Sequence, residues 1–97
     1  MLIVAGTGYV DPDHRDALLE NLAPALRQAR TTPGCLDYVV AADPIEPDRV
    51  NVYERWESEA HLTTHLAGIA QTAPPMPDVR SVEVVRYDIS GSRPLQS

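Results

Sequence analysis

Between Val52 and His65 the sequence changes from a strand pattern to a helix pattern with no linker between them. Tyr53, Arg55 and Glu57 alternate with Val52, Glu54 and Trp56, so the two sets address opposite faces of a sheet. Glu54 and Trp56, the only tryptophan, therefore share a face. Ser58 suits a helix N-cap, and after it Leu62, His65, Leu66 and Ile69 recur at the i, i+3, i+4, i+7 spacing of a buried stripe. Two consecutive elements thus send a carboxylate, an indole and an imidazole toward the same buried space, which is more than simple core packing requires.

The same reading extends along the chain. Residues 2–10 carry the Ile, Val, Thr and Tyr of a strand, and Asp11-Pro12 offers an N-cap followed by proline at the first helical position. A helix is expected from about 12 to 31, with Leu18, Leu22, Ala25, Leu26 and Ala29 on one face and a kink at Pro24. Thr32-Pro33-Gly34 ends it, and Cys35 to Ala42 reads as a strand with Leu36, Tyr38 and Val40 on one side. Asp43-Pro44-Ile45-Glu46-Pro47-Asp48 is turn chemistry, which makes the second and third strands an antiparallel hairpin. The helix from Ser58 should run to Gly68 or slightly beyond, residues 72–78 should form a surface loop, and Val79 to Ile89 the last strand.

The order β-α-β-β-α-β is that of an α+β ferredoxin-like sandwich. We expect one domain over residues 1–90 and a mobile tail over residues 91–97. Helices cover one face of such a sheet, yet the last strand places Val82 and Val84 on one face and Val85, Tyr87 and Ile89 on the other. In a chain of 97 residues that second apolar face needs a partner, and a homodimer closing two sheets into an α+β barrel supplies it.

The net charge of −6, with all eight basic residues arginine, provides neither a basic stripe for nucleic acid nor a polybasic patch for a membrane surface. The apolar start Met1-Leu2-Ile3-Val4 lacks the charged leader of a signal peptide. A lone cysteine, Cys35, makes no intrachain disulfide, and a reducing cytoplasmic setting fits.

Pro33-Gly34-Cys35-Leu36-Asp37-Tyr38 looks like the helix-to-strand turn, and Glu54-Arg55-Trp56 followed by His65 the E-x-W…H signature, of the antibiotic biosynthesis monooxygenase family, which nearly the whole chain resembles. The resemblance implies a dimeric α+β barrel and oxidation of a small aromatic phenol, hydroquinone or polyketide-like substrate by dioxygen without a cofactor. The pattern departs from two branches. Those that oxidise anthrones carry an asparagine four residues before the tryptophan, where this chain has Val52, with Asn51 one residue earlier and facing the other way. Heme-degrading relatives carry an asparagine in the first strand, and residues 2–10 contain none.

His65 is the candidate base, because imidazole titrates near neutral pH and this one lies on the inward side of its helix. Trp56 is placed to stack on a planar substrate and donate its N–H to a substrate oxygen, and Glu54 to orient His65. Tyr38, Tyr53, Asn51 and Met76 are the candidate substrate contacts, with Pro74, Pro75, Met76 and Pro77 as the rim of the pocket. No metal site is expected: His61 and His65 have helical i, i+4 spacing, but no Glu follows His61, no third ligand is evident, and His61 should face solvent. Cys35 has no neighbouring basic residue to activate it. Two other readings of the same residues are a non-catalytic small-molecule-binding dimeric module and an isomerase using His65 for enolisation.

Overall fold

The computed structural model describes residues 1–72, 76 and 78–96. Its elements are β1 (Leu2–Val10), α1 (Arg15–Arg30), β2 (Cys35–Ala42), β3 (Arg49–Trp56), α2 (Glu59–Thr72) and β4 (Val79–Asp88). The strands form one antiparallel sheet in the order β2-β3-β1-β4, the ferredoxin-like arrangement, with both helices on one face.

The helix α1 starts later than the sequence suggests. Asp11 to His14 form a turn in which the Asp11 carboxylate accepts the Asp13 N–H at 2.9 Å and the Asp11 carbonyl accepts the His14 N–H at 3.0 Å. The Asp-Pro pair therefore makes a turn before the helix and not its first residue. Pro24 sits inside α1, which continues on both sides of it. Ser58 caps α2 as expected, its hydroxyl accepting the His61 N–H at 3.3 Å.

A bulge at the start of β2 corrects the expected alternation there. Cys35 pairs with Trp56 but Asp37 with Arg55, so Leu36 is an extra residue and the side chains before it reverse their face. Leu36 is 40% exposed, whereas Cys35 and Tyr38 both pack against the core of Leu2, Trp56 and Leu62.

The preceding turn depends on Gly34, whose φ of +83° lies in the left-handed region that other residues rarely adopt. A side chain here would also strike the His61 ring. His61 is consequently half-buried against the turn, with Nδ1 2.7 Å from the Ser58 hydroxyl, and does not face solvent. The inward arc of α2 is centred on His65 and rotated toward His61, which leaves Leu66 53% exposed.

At the opposite end of the sheet the β2–β3 hairpin is held by polar contacts. Arg15 donates to the carbonyls of Asp43, Glu46 and Arg49 at 3.3, 2.8 and 3.2 Å. Asp43 accepts the backbone N–H groups of Glu46 and Ile45 and the side-chain amide of Asn51, and these bonds lower its pKa to about 2. No helix among the described residues is long and apolar enough to cross a membrane. Residues 91–96 form neither helix nor strand, and Leu95 is 98% exposed.

Candidate functional site

The helices do not close down on the sheet along their whole length. Between them lies a cavity of about 430 Å³ lined by Leu22, Ala25, Leu26, Gln28 and Ala29 of α1, Thr32 of the following turn, Tyr38 and Val40 of β2, Thr64, His65, Gly68 and Ile69 of α2, and Met76. The α1 stripe that reads as core in the sequence is largely a cavity wall. A Cβ at Gly68 would meet nothing within 4 Å, so the absent side chain leaves open space beside His65.

The floor is aromatic. The His65 ring lies over Trp56 at 4.8 Å between centroids with a tilt of 36°, and Tyr38 meets His65 edge-on at 5.3 Å and Trp56 at 6.5 Å. Three positions distant in sequence are thus gathered into one cluster. Tyr38 and His65 line the cavity, while Trp56, fully buried, supports them from beneath.

Trp56 and Glu54, two residues apart on β3, use each other. The indole N–H donates to Glu54 Oε1 at 2.9 Å, so it is not free for a substrate oxygen, and no side-chain hydrogen bond among the described residues joins Glu54 to His65. Glu54 therefore bonds the indole on which the His65 ring rests, and not His65 itself. Glu54 is 8% exposed, and its burial raises the carboxyl pKa against the opposing effect of the indole bond. Burial, followed by the charge of Glu54, pushes the Tyr38 phenol up to about 12. The same two causes, in the same order, lead the upward shift of the Cys35 thiol.

His65 Nε2 is buried and has no hydrogen-bond partner among the described residues. Burial also lowers its pKa, so the imidazole is held neutral near pH 7. An unpaired buried nitrogen costs free energy unless something occupies it.

The remaining sequence candidates separate. Met76 lines the cavity, whereas Pro74, Pro75 and Pro77 lie outside the described residues. Asn51 and Tyr53 do not join them: both point to the sheet face opposite the helices, because they alternate with Glu54 and Trp56 along β3. Asn51 donates to Asp43 at 2.9 Å and accepts from Arg49 at 2.8 Å, a hairpin role.

Among the described residues, Asp11, His14 and Asp78 form a group whose ligand atoms lie within 4.8 Å of one another. His14 Nδ1 is 3.1 Å from Asp78 and 3.6 Å from Asp11. The group joins the turn before α1 to the start of β4 and does not line the cavity.

Comparison with known proteins agrees with this architecture. The sequence model of the antibiotic biosynthesis monooxygenase family matches residues 1–73. A structure from Deinococcus radiodurans, described as an antibiotic biosynthesis monooxygenase, superposes with a TM-score of 0.80 at 22% identity over 100% of both chains. One from Chloroflexus aurantiacus with the same description gives 0.71 at 29% identity over 97% of each. The heme-degrader MhuD of Mycobacterium tuberculosis, solved with two hemes in its active site, shares the fold at 0.71 and 14% identity over 97% of this chain and 100% of its own. No curated protein matches the sequence significantly.

Proposed function

The chain belongs to the antibiotic biosynthesis monooxygenase family, and from that premise we propose that it is a cofactor-independent monooxygenase. Its substrate is a small phenol, hydroquinone or polyketide-like aromatic held between the helices and the sheet, and its oxidant is dioxygen. The observation that carries this reading is the neutral His65, its buried Nε2 unpaired, on the floor of a largely apolar cavity.

In this reading the substrate O–H lies against the His65 imidazole in the cavity wall and its proton passes to the ring, leaving an electron-rich phenolate beside an imidazolium. The phenolate supplies the electrons that dioxygen needs. For a phenol unsubstituted at the para carbon, one oxygen atom becomes the new quinone oxygen and the other leaves as water with the two displaced hydrogens. All four electrons come from the substrate, which is why the reaction closes without a redox partner. Tyr38 keeps its proton throughout, since its pKa lies near 12, and serves as a hydrogen-bond donor in the cavity wall. The Trp56–Glu54 pair fixes the plane of the base, and Met76 contacts the ligand at the rim.

A homodimer completes the proposal. Tyr53, Val85 and Tyr87, on the sheet face away from the helices, are 36, 45 and 50% exposed in the single chain, and a second copy covers them. The free thiol of Cys35 suits a reducing cytoplasm.

The test is oxygen uptake with a panel of hydroquinones, naphthols and anthrones in chelator-treated buffer. Stoichiometric uptake with quinone formation is expected. Ligand binding without uptake across the panel would leave a non-catalytic binding module instead.

A further inference from the structure

None of the described residues lining the cavity carries a formal charge at neutral pH once His65 is neutral. The chain has no lysine, no arginine is among the described residues lining the cavity, and three arginines of the surrounding elements pair elsewhere. Arg30 donates its Nε to the Tyr38 carbonyl at 2.8 Å from an exposed position, Arg55 pairs with Asp37 at 3.3 Å, and Arg86 with Glu59 at 3.1 Å. The buried carboxyl in the vicinity is Glu54, whose charge already disfavours a second negative charge on Tyr38.

The neutral polar groups are also largely engaged. The Thr32 hydroxyl donates to the Gln28 carbonyl at 3.2 Å and the Thr64 hydroxyl to the Ala60 carbonyl at 3.0 Å. These leave the His65 ring, the Tyr38 phenol and the Gln28 side-chain amide for a ligand. An anion placed against the half-buried His65 and Tyr38 rings on the cavity floor would shed water there and gain no cation, a cost that buried charges offset by pairing.

We propose that this cavity selects by charge: it takes flat, uncharged ligands that present a hydroxyl or amide to His65, and rejects those bearing a carboxylate or phosphate. The inference rests on the assignment of the cavity as the substrate site. It is compatible with proton abstraction, because transfer from ligand to His65 creates an ion pair and leaves the net charge inside unchanged. It also separates this cavity from one built for heme, whose propionates are anionic.

The experiment is calorimetric titration of the purified protein, at a pH near 8, with 2-naphthol, 2-naphthamide and 2-naphthoate, which share one ring system and differ in charge. The naphthol and the amide are expected to bind at least about a hundredfold more tightly than the carboxylate, the order of discrimination that an unpaired buried charge imposes. Gln28→Arg, at an exposed position on the cavity wall, should recover naphthoate binding by about tenfold or more. Naphthoate binding within tenfold of the naphthol by the unaltered protein would overturn the inference, as would failure of all three to bind. The readout is binding and not turnover, so the two proposals fail separately. Absent oxygen uptake with intact charge selection removes only the oxygenase reading, and oxygen uptake with tight naphthoate binding removes only the selection.

Discussion

Trp56 donates its indole N–H to the carboxylate of Glu54 at 2.9 Å, between two side chains on the same face of one strand. The bond satisfies the donor of a fully buried indole and gives the most buried carboxylate described in the chain its one hydrogen-bond donor. It also has a pH signature. Burial raises the Glu54 pKa above its ordinary 4.5, so the folded state holds a proton that the unfolded state has released. Stability from this group is full below 4.5 and is lost as pH rises from there through the folded value. Glu54→Gln keeps the acceptor and cannot ionise. The variant should therefore gain on the wild type in chemical denaturation as pH rises above about 5, and a stability difference independent of pH would refute the buried ionisation.

His65→Ala removes a ring whose Nε2 has no partner, so it leaves no orphaned group behind. We expect a stability change of about 1 kcal/mol or less, from lost packing on Trp56 and Tyr38 offset by removal of an unsatisfied polar atom. Turnover of an oxidised substrate should fall by about a hundred- to ten-thousand-fold. In the wild type the folded pKa is depressed below 6.5, so activity should be level through neutral pH and decline in acid as the base is protonated. Undiminished turnover in the variant would remove His65 from the reaction.

Tyr38 should ionise late. Difference titration of the phenolate absorbance between the wild type and Tyr38→Phe should isolate a transition near 12, well above that of an ordinary tyrosine. A transition near 10 would mean that the phenol is solvated and that the cavity floor is wet.

Asn51→Ala should weaken the hairpin by about 1 kcal/mol through loss of the bonds to Asp43 and Arg49. Ligand affinity should be unchanged, because the residue lies on the far face of the sheet. Impaired binding at unchanged stability would restore Asn51 to the site.

Sedimentation at micromolar concentration should give a dimer, and Tyr87→Glu, on the open face, should shift it to monomer. A wild type that remains monomeric would leave the exposed valines and tyrosines of β4 without the cover proposed for them.

The element order, the hairpin and the shared face of Glu54 and Trp56 were legible in the sequence, because strand and helix periodicities and turn residues are local properties of the chain. Local pattern also put His65 on the inward side of α2. It misjudged Leu36 and Leu66, since a bulge reverses a strand's faces and a helix's rotation is set by what it packs on. Only the tertiary structure decided that Tyr38, Trp56 and His65 meet, that the indole N–H is consumed by Glu54, and that the α1 stripe walls a cavity instead of filling a core. Which faces are apolar follows from spacing along the chain. Whether two apolar faces touch or stand apart depends on the separation of elements distant in sequence, and periodicity carries no record of that distance.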